Sequence, residues 1–316
     1  MQTILGAGGS IGLEMAKILP GYTDRVRLVG RNPARVNPED EIYRADLLKP
    51  EAVAGAIRGS KVVYLVAGLP YKARVWEDQW PAIMGNVIDA CRVSGSRLVF
   101  FDNVYMYDRD HLAAMDEDTP VRPTSRKGKV RAEIANQLMA ATRQGDIQGL
   151  IARSADFYGP GKQPGSVLTQ TVFERLAGGR PAQWLLSADC AHSFTYTPDA
   201  ALGTVLLGNT SDAYGKVWHL PTAPNPPTGR TYVEMIAAEL GVEPRIQVVK
   251  KPLLSVIGLF VPPLRELKEV AYQYDRDYDF RSDRFNQRFD FKPCDYREGI
   301  RTIVQADYGS GTGAKK

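Results

Sequence analysis

An α/β fold built on a doubly wound parallel sheet, with a smaller α+β lobe towards the C-terminus, is what this sequence of 316 residues predicts. Three observations carry that expectation. Short β-type runs alternate with longer helical patterns through the first half, a glycine-rich turn joins the first run to the first helix, and after Gly159 the alternation loosens without any linker-like composition. With 44% hydrophobic residues the chain can bury a full core.

Taken in order, "TILGAG", "RVRLVG", the run before "ADLL", "VVYLVAG", "RLVFFDN" and "GLIARSADF" read as strands. Between them "IGLEMAKIL", "PEAVAGAIRG", "WPAIMGNVIDACRVSG" and "KVRAEIANQLMAATRQG" repeat apolar residues at i, i+3 and i+4, as amphipathic helices do. Gly59, Gly95 and Gly145 stand where those helices should end. Later elements are a helix from about Val167 to Leu176, a strand and helix in "HSFTYTPDAALGTVLL" with Asp199 as helix cap, a strand "KVWHLP", a helix "TYVEMIAAEL" and a basic strand "RIQVVKK". This reading assigns 1–160, with about 187–215, to a dinucleotide-binding domain, 161–186 and 216–305 to a C-terminal substrate lobe, and 306–316 to a disordered tail.

Charge and cysteine usage exclude several classes. The 40 basic and 36 acidic residues are interspersed, which is no basis for nucleic-acid binding. Cys91, Cys190 and Cys294 lie far apart and form no CxxC pair, as expected of reduced thiols in a cytoplasmic protein. The N-terminus runs straight into a strand rather than a signal segment, and the longest apolar run, "LLSVIGLFVPPL", is short and broken by prolines, so no membrane span is expected. No His, Cys and carboxylate cluster has metal-ligand spacing, so no metal is expected.

"ILGAGGSIGLEMAKIL" sets Gly6, Gly9 and Gly12 between a strand and a helix. Glycines allow the tight turn, the close approach of a pyrophosphate and close helix–strand packing, while Ser10, Ile11 and Gly12 begin a helix whose free N–H groups face the anion. The pattern predicts a Rossmann-type dinucleotide site. A site selective for NAD would end its second strand in Asp or Glu; here Gly30 and Arg31 stand there, and a guanidinium suits a 2′-phosphate, so NADP is preferred and NAD possible. Asp46, followed by Leu47, either accepts from the adenine amino group or caps the next helix.

Together with "FFDNVYMYD", "GKVRAE", "RSADFYGPG" and "HSFTYTPDAA", which fall in order along almost the whole chain, the glycine turn resembles the extended short-chain dehydrogenase/reductase superfamily, in its NAD-dependent epimerase/dehydratase family. The resemblance implies that Ala67 and Gly68, after "VVYLV", lie beside the cofactor. It implies catalysis by a Tyr four residues before a Lys, both on one helical face, with a Ser or Thr on the preceding strand. On that pattern the lysine is Lys129, which would bind the nicotinamide ribose, but Ser125 occupies the tyrosine position and Asn103, after Asp102, the Ser/Thr position.

The proton must then come from elsewhere. Candidates are Tyr105, Tyr107 at the place of the family's "YG" tyrosine, and Lys129 itself, while Asn103 can hold a carbonyl oxygen. Arg126, Lys127 and Arg131 read as solvent-facing or pocket-rim charges. Asp156 and His192 fall where relatives touch substrate, and Tyr272, Tyr274 and Tyr278 either shape a pocket or pack. The expected function is hydride transfer between a nicotinamide and a carbonyl or alcohol carbon of a small molecule; epimerisation or dehydration of a sugar-like substrate, and a non-catalytic NADP(H) sensor, are the alternatives. Relatives dimerise through the helices that begin near Trp80 and Lys129, so a homodimer is expected, with Ile83, Val87, Ile134 and Leu138 on the mixed apolar faces.

Overall fold

A computed structural model describes residues 1–163, 165–252 and 266–309. The run "LLSVIGLFVPPL" and residues 310–316 of the expected tail lie outside these. In chain order the regular elements begin β1 (Gln2–Leu5), α1 (Ser10–Ile18), β2 (Val26–Gly30), β3 (Glu41–Arg44), α2 (Pro50–Ile57), β4 (Val62–Leu65), α3 (Ala73–Ser94), β5 (Arg97–Asp102), α4 (Arg126–Arg143) and β6 (Gly149–Arg153). They continue with β7 (Asp156–Tyr158), α5 (Glu174–Ala177), β8 (Ala182–Leu185), β9 (Phe194–Tyr196), α6 (Thr197–Gly208), β10 (Val217–His219), α7 (Gly229–Leu240), β11 (Ile246–Val249), α8 (Asp283–Phe289) and α9 (Tyr296–Ile303).

The chain divides into two compact units, the first comprising Met1–Tyr107, Val121–Ser154 and Ala200–Leu220, the second Asp108–Pro120, Ala155–Asp199 and Pro221–Lys316. In the first unit seven parallel strands run in the order β10-β6-β5-β4-β1-β2-β3, the doubly wound α/β architecture. Val62–Leu65, Leu98–Phe100 and Leu150–Ala152 are buried throughout because helices cover both faces of a parallel sheet, so these strands read as continuous apolar runs rather than alternating ones. The strand order reverses between β1 and β4, which leaves a crevice at their C-terminal ends.

Several boundaries fall elsewhere than expected. "GLIARSADF" is two strands: β6 ends at Arg153, Ser154 N–H donates to the Asp102 carbonyl (3.0 Å), and Ala155 N–H turns to Thr195 Oγ1 (3.2 Å), so β7 pairs with β9 in the second unit. Conversely "KVWHLP" supplies β10, which joins the large sheet beside β6. Helix α3 starts at Ala73, not near Trp80, because Trp76 and Trp80 both turn inward; Pro81 inside it only deprives the Glu77 carbonyl of its helical donor. Ile83, Val87, Ile134 and Leu138 are all buried in the first unit's core, so pairing of two chains through α3 and α4 would have to use other residues.

The second unit carries β11–β8 and β7–β9 as two-stranded parallel sheets and its own core, in which Phe194 meets Tyr158, Trp184 and Tyr232 edge to face, Tyr232 meets Tyr296 in the same way, and Trp184 stacks on Tyr232. The start of the expected disordered tail is ordered: a π-type turn continues α9 over Val304–Tyr308, Tyr308 stacks on Phe173 (6.0 Å), and Asp307 accepts from the Gly161 and Lys162 N–H groups. Asp199 does not cap α6. Its carboxylate lies in the helix's first turn and accepts the Cys294 N–H at 2.7 Å.

Burial pushes the Asp199 carboxyl up to about 6 from 3.8. The folded state therefore holds this proton more tightly than the unfolded chain, so the group's stabilising contribution is full below pH 3.8 and is lost as pH rises through 6. Asp199→Asn keeps the acceptor and removes the buried charge. The variant is expected to be more stable than the parent at pH 8, by up to about 3 kcal/mol, with the difference vanishing near pH 4 in urea titrations.

Candidate active site

The dinucleotide cradle forms where the sheet order reverses. Gly6 follows β1 with φ of +97°, and a Cβ there would lie 2.5 Å from the backbone nitrogen of Ala67, which follows β4. A Cβ on Gly12 would stand 2.8 Å from the Ala7 Cα, which fixes how closely α1 approaches the turn. Gly9 differs: a side chain there would meet nothing closer than the Gly6 carbonyl at 3.7 Å. The fold itself does not demand that glycine, and its effect is to leave the first turn of α1 open.

That first turn carries no capping side chain and no acidic residue. The N–H groups of Ser10, Ile11 and Gly12 and the positive end of the helix dipole thus face an uncovered turn, which fits a pyrophosphate. Arg31, just past β2, is exposed. Asp46 is exposed as well, and caps nothing: α2 begins after Lys49, while the Asp46 carboxylate accepts the Leu48 N–H at 3.1 Å in a local turn. Leu47 packs into the core and its carbonyl accepts from Asn86 Nδ2 at 3.0 Å, so this residue shapes the wall through its backbone. Ala67 is half-buried against Gly6, and Gly68 after it is exposed.

The end of β5 is organised by a buried carboxylate. Asp102 Oδ1 accepts from Arg131 Nε (2.7 Å) and from the Asn103 N–H (2.8 Å), and Oδ2 accepts from Arg153 Nε at 3.2 Å. Arg131 also lies 4.8 Å from the ring centres of Trp80 and Phe100. Burial alone would make Arg153 easier to deprotonate, but Tyr107 and Asp102 outweigh it and hold the guanidinium more firmly protonated than usual. Tyr107, expected near substrate, is 1% exposed and committed to this cluster: its phenol accepts from Arg153 Nη1 (3.0 Å) and meets His219 Nε2 at 2.6 Å.

Helix α4 presents a different face from the one its motif suggests. Ser125 is its N-cap and not a helical residue; its Oγ accepts the Gly128 N–H at 3.0 Å. Lys129 is exposed, whereas Lys127 is 0% exposed and Arg131 is buried against Asp102. Two residues along a helix turn it by about 200°, so a helix that points Arg131 at β5 must point Lys129 away. The inward pair four residues apart is Lys127 and Arg131, and neither is a solvent-facing charge.

Around Lys127 stands an aromatic group from other elements of the same unit. Its ammonium lies 4.4 Å from the Tyr71 ring centre, Tyr71 Oη donates to Tyr105 Oη at 3.2 Å, and Tyr105 stacks on Trp76 at 6.2 Å. Asn103 Oδ1 accepts the Tyr105 N–H (3.1 Å). That leaves its Nδ2 group as the available donor. Tyr71 and Lys127 were not picked out from the sequence. The signal was present: Val130, Ile134 and Leu138 recur on the face that holds Lys127 and Arg131, while Lys129, Glu133 and Gln137 fall on the other.

In the second unit Asp156 and His192 come together. His192, 2% exposed, lies between the rings of Tyr274 (4.4 Å) and Tyr278 (4.3 Å), and its Nε2 is 3.1 Å from Asp156 Oδ2. Tyr274 Oη donates to the same oxygen at 2.7 Å. One carboxylate oxygen is thus doubly held, and Oδ1 has no protein partner among the described residues.

A family model described as the NAD-dependent epimerase/dehydratase family matches residues 3–220. A search of curated proteins returns no match. Among solved structures the chain is similar to a UDP-glucose 4-epimerase from Thermus thermophilus in complex with NAD, at 19% identity and a TM-score of 0.77 over 97% of this chain and 98% of that one. It is similar, too, to a UDP-glucuronic acid 4-epimerase from Bacillus cereus with NAD, at 15% identity and TM-score 0.79 over 97% and 98%. A dTDP-glucose 4,6-dehydratase double mutant from Streptomyces venezuelae with NAD gives 15%, 0.78, and 96% of each chain. At these identities the likeness is one of fold.

Replacing Asp102 by Asn leaves two guanidiniums buried without their counter-charge. The expected cost is about 3–5 kcal/mol, read as a lower urea midpoint, and Arg153→Met in the same background should recover part of it.

Proposed function

The chain belongs to the NAD-dependent epimerase/dehydratase family, a family of enzymes, and on that footing we propose that it moves hydride between a nicotinamide dinucleotide and a carbonyl or alcohol carbon of a small polar molecule. The observation that carries this reading is the uncapped first turn of α1, opened by a glycine at position 9 that the packing does not require. Ser10, Ile11 and Gly12 N–H groups hold the pyrophosphate, Ala67 and Gly68 line the cofactor's path, and Asp46 is exposed at the adenosine end. A bound nicotinamide supplies a carbon that gives or takes hydride; the chain's own residues orient the reacting oxygen and move its proton.

NADP is the preferred cofactor on this reading. The solved relatives named above hold NAD, but Arg31 is exposed at the end of β2 where an acidic residue would favour the 2′-hydroxyl. Asp156 supports substrate binding, since Oδ1 is free to accept from a hydroxyl or amine while Oδ2 is held by Tyr274 and His192. Net oxidoreduction is the first reading, because the family's helical tyrosine is replaced by Ser125. Epimerisation or dehydration, in which the hydride returns to substrate, is the second, favoured by the family model's description. The unpaired thiols suit a reducing compartment such as the cytoplasm.

Titration with NADPH and NADH, followed by a panel of carbonyl substrates, tests the reading. Net consumption of NADPH supports oxidoreduction; product formed with no net cofactor consumption supports the second reading; tight binding without transfer to any substrate makes the chain a sensor and overturns both. Arg31→Ala should weaken NADPH binding by about tenfold or more and leave NADH binding unchanged. Asp156→Asn should raise KM about tenfold with cofactor affinity intact, and an unchanged KM would remove Asp156 from the substrate site.

A further inference from the structure

The absent helical tyrosine leaves open which group carries the proton, and the first unit offers an answer from a different element. We propose that Tyr105, projecting just beyond β5, is the proton-transferring residue, with Tyr71 and Lys127 as positioning residues that stabilise its tyrosinate. This rests on the nicotinamide reading above and names its acid.

Three observations combine. Tyr105 follows the β5 terminus, next to the strand that borders the cradle, and keeps part of its surface exposed while stacked on Trp76. Its hydroxyl oxygen receives a hydrogen bond from Tyr71, and a donor to that oxygen favours the ionised phenol over the neutral one. The Lys127 ammonium sits on the face of Tyr71, where it draws electron density from the ring and makes Tyr71 Oη a stronger donor. Gly128 is required at its position because a Cβ would collide with the Tyr105 carbonyl. The helix and the Tyr105 segment are therefore in direct contact, and Lys127 stays close to the pair.

The charged groups around the pair are largely cationic. Among the described residues these are Lys127 and Arg131 from α4, Arg153 from β6, and Asp102 from β5, whose charge the two guanidiniums already neutralise. On α3, Glu77 is paired with Arg126. The surroundings thus favour an anion at Tyr105. In the reducing direction a hydride reaches the carbonyl carbon, the C=O π pair moves onto oxygen, and that oxygen takes the Tyr105 proton while Asn103 Nδ2 donates to it. The tyrosinate then regains a proton from water. In the oxidising direction the same tyrosinate removes the alcohol proton.

Two readouts test this, one without cofactor. Near-ultraviolet titration of the apo protein should show one tyrosine ionising below the rest, lost in Tyr105→Phe and displaced to higher pH in Tyr71→Phe and Lys127→Met. Tyr105→Phe, which keeps the ring on Trp76, should lower kcat about 100-fold or more with NADPH affinity unchanged. Tyr71→Phe should lower kcat about tenfold and shift the pH profile the same way as the titration. A Tyr105→Phe enzyme with unaltered kcat, or an unchanged apo titration, overturns the proposal and leaves the nicotinamide reading standing. If the wild type transfers no hydride while the titration behaves as described, the reading of function fails and takes the proton-transfer role with it, leaving only the easier ionisation of Tyr105.

Discussion

The Asp102 carboxylate, shared by two buried guanidiniums, is the constraint on which the first unit's chemistry depends. A carboxylate at 1% exposure is tolerable only with its charge answered and its lone pairs filled. Arg131, Arg153 and the Asn103 N–H do both. Because Arg131 comes from α4 and Arg153 from β6, this one group fixes the rotation of a helix and joins two strands at their C-terminal ends. It also sets Asn103, the first residue beyond the strand, in a tight local turn in which its Oδ1 accepts the Tyr105 N–H and its amide nitrogen has no partner among the described residues.

The rotation of α4 has a larger consequence than the missing tyrosine. With Arg131 turned to Asp102, the residue one turn earlier is Lys127, and it enters the interior over Tyr71. Lys129 cannot share that face. What the chain keeps of the family's helical pair is thus the spacing of four on an inward face, moved two residues along and occupied by two cations instead of a tyrosine and a lysine. The inward face therefore presents two cations, with Tyr71 lying under Lys127 and donating in turn to Tyr105.

Much of this was legible in the sequence. The seven-stranded unit followed from alternating runs, and the tight glycine turn between β1 and α1 with it, because both patterns are local: strand period, helix period and a turn that needs φ above zero at Gly6. The face of α4 was equally local, written in Val130, Ile134 and Leu138, yet a short motif anchored on Lys129 and Glu133 competed with that periodicity. The periodicity proved the better guide, since burying a helix stripe involves many residues and a motif only a few. By contrast, the splitting of "GLIARSADF" depends on Thr195, forty residues away, and the order of the first tail residues on Phe173 and Gly161. Such pairings are set by tertiary structure, where no spacing along the chain records them.

The cluster in the second unit shows the same logic at work on a half-buried carboxylate. His192 is nearly fully buried yet has no carboxylate of its own element to meet; the stacking of Tyr274 and Tyr278 on either side fixes its plane, and the plane aims Nε2 at Asp156. Tyr274 then donates to the same oxygen from its ring edge. Two donors on one oxygen hold the carboxylate against rotation and so fix where the other oxygen points. Asp102 has both oxygens satisfied, whereas Asp156 has one oxygen held twice and the other without a protein partner among the described residues.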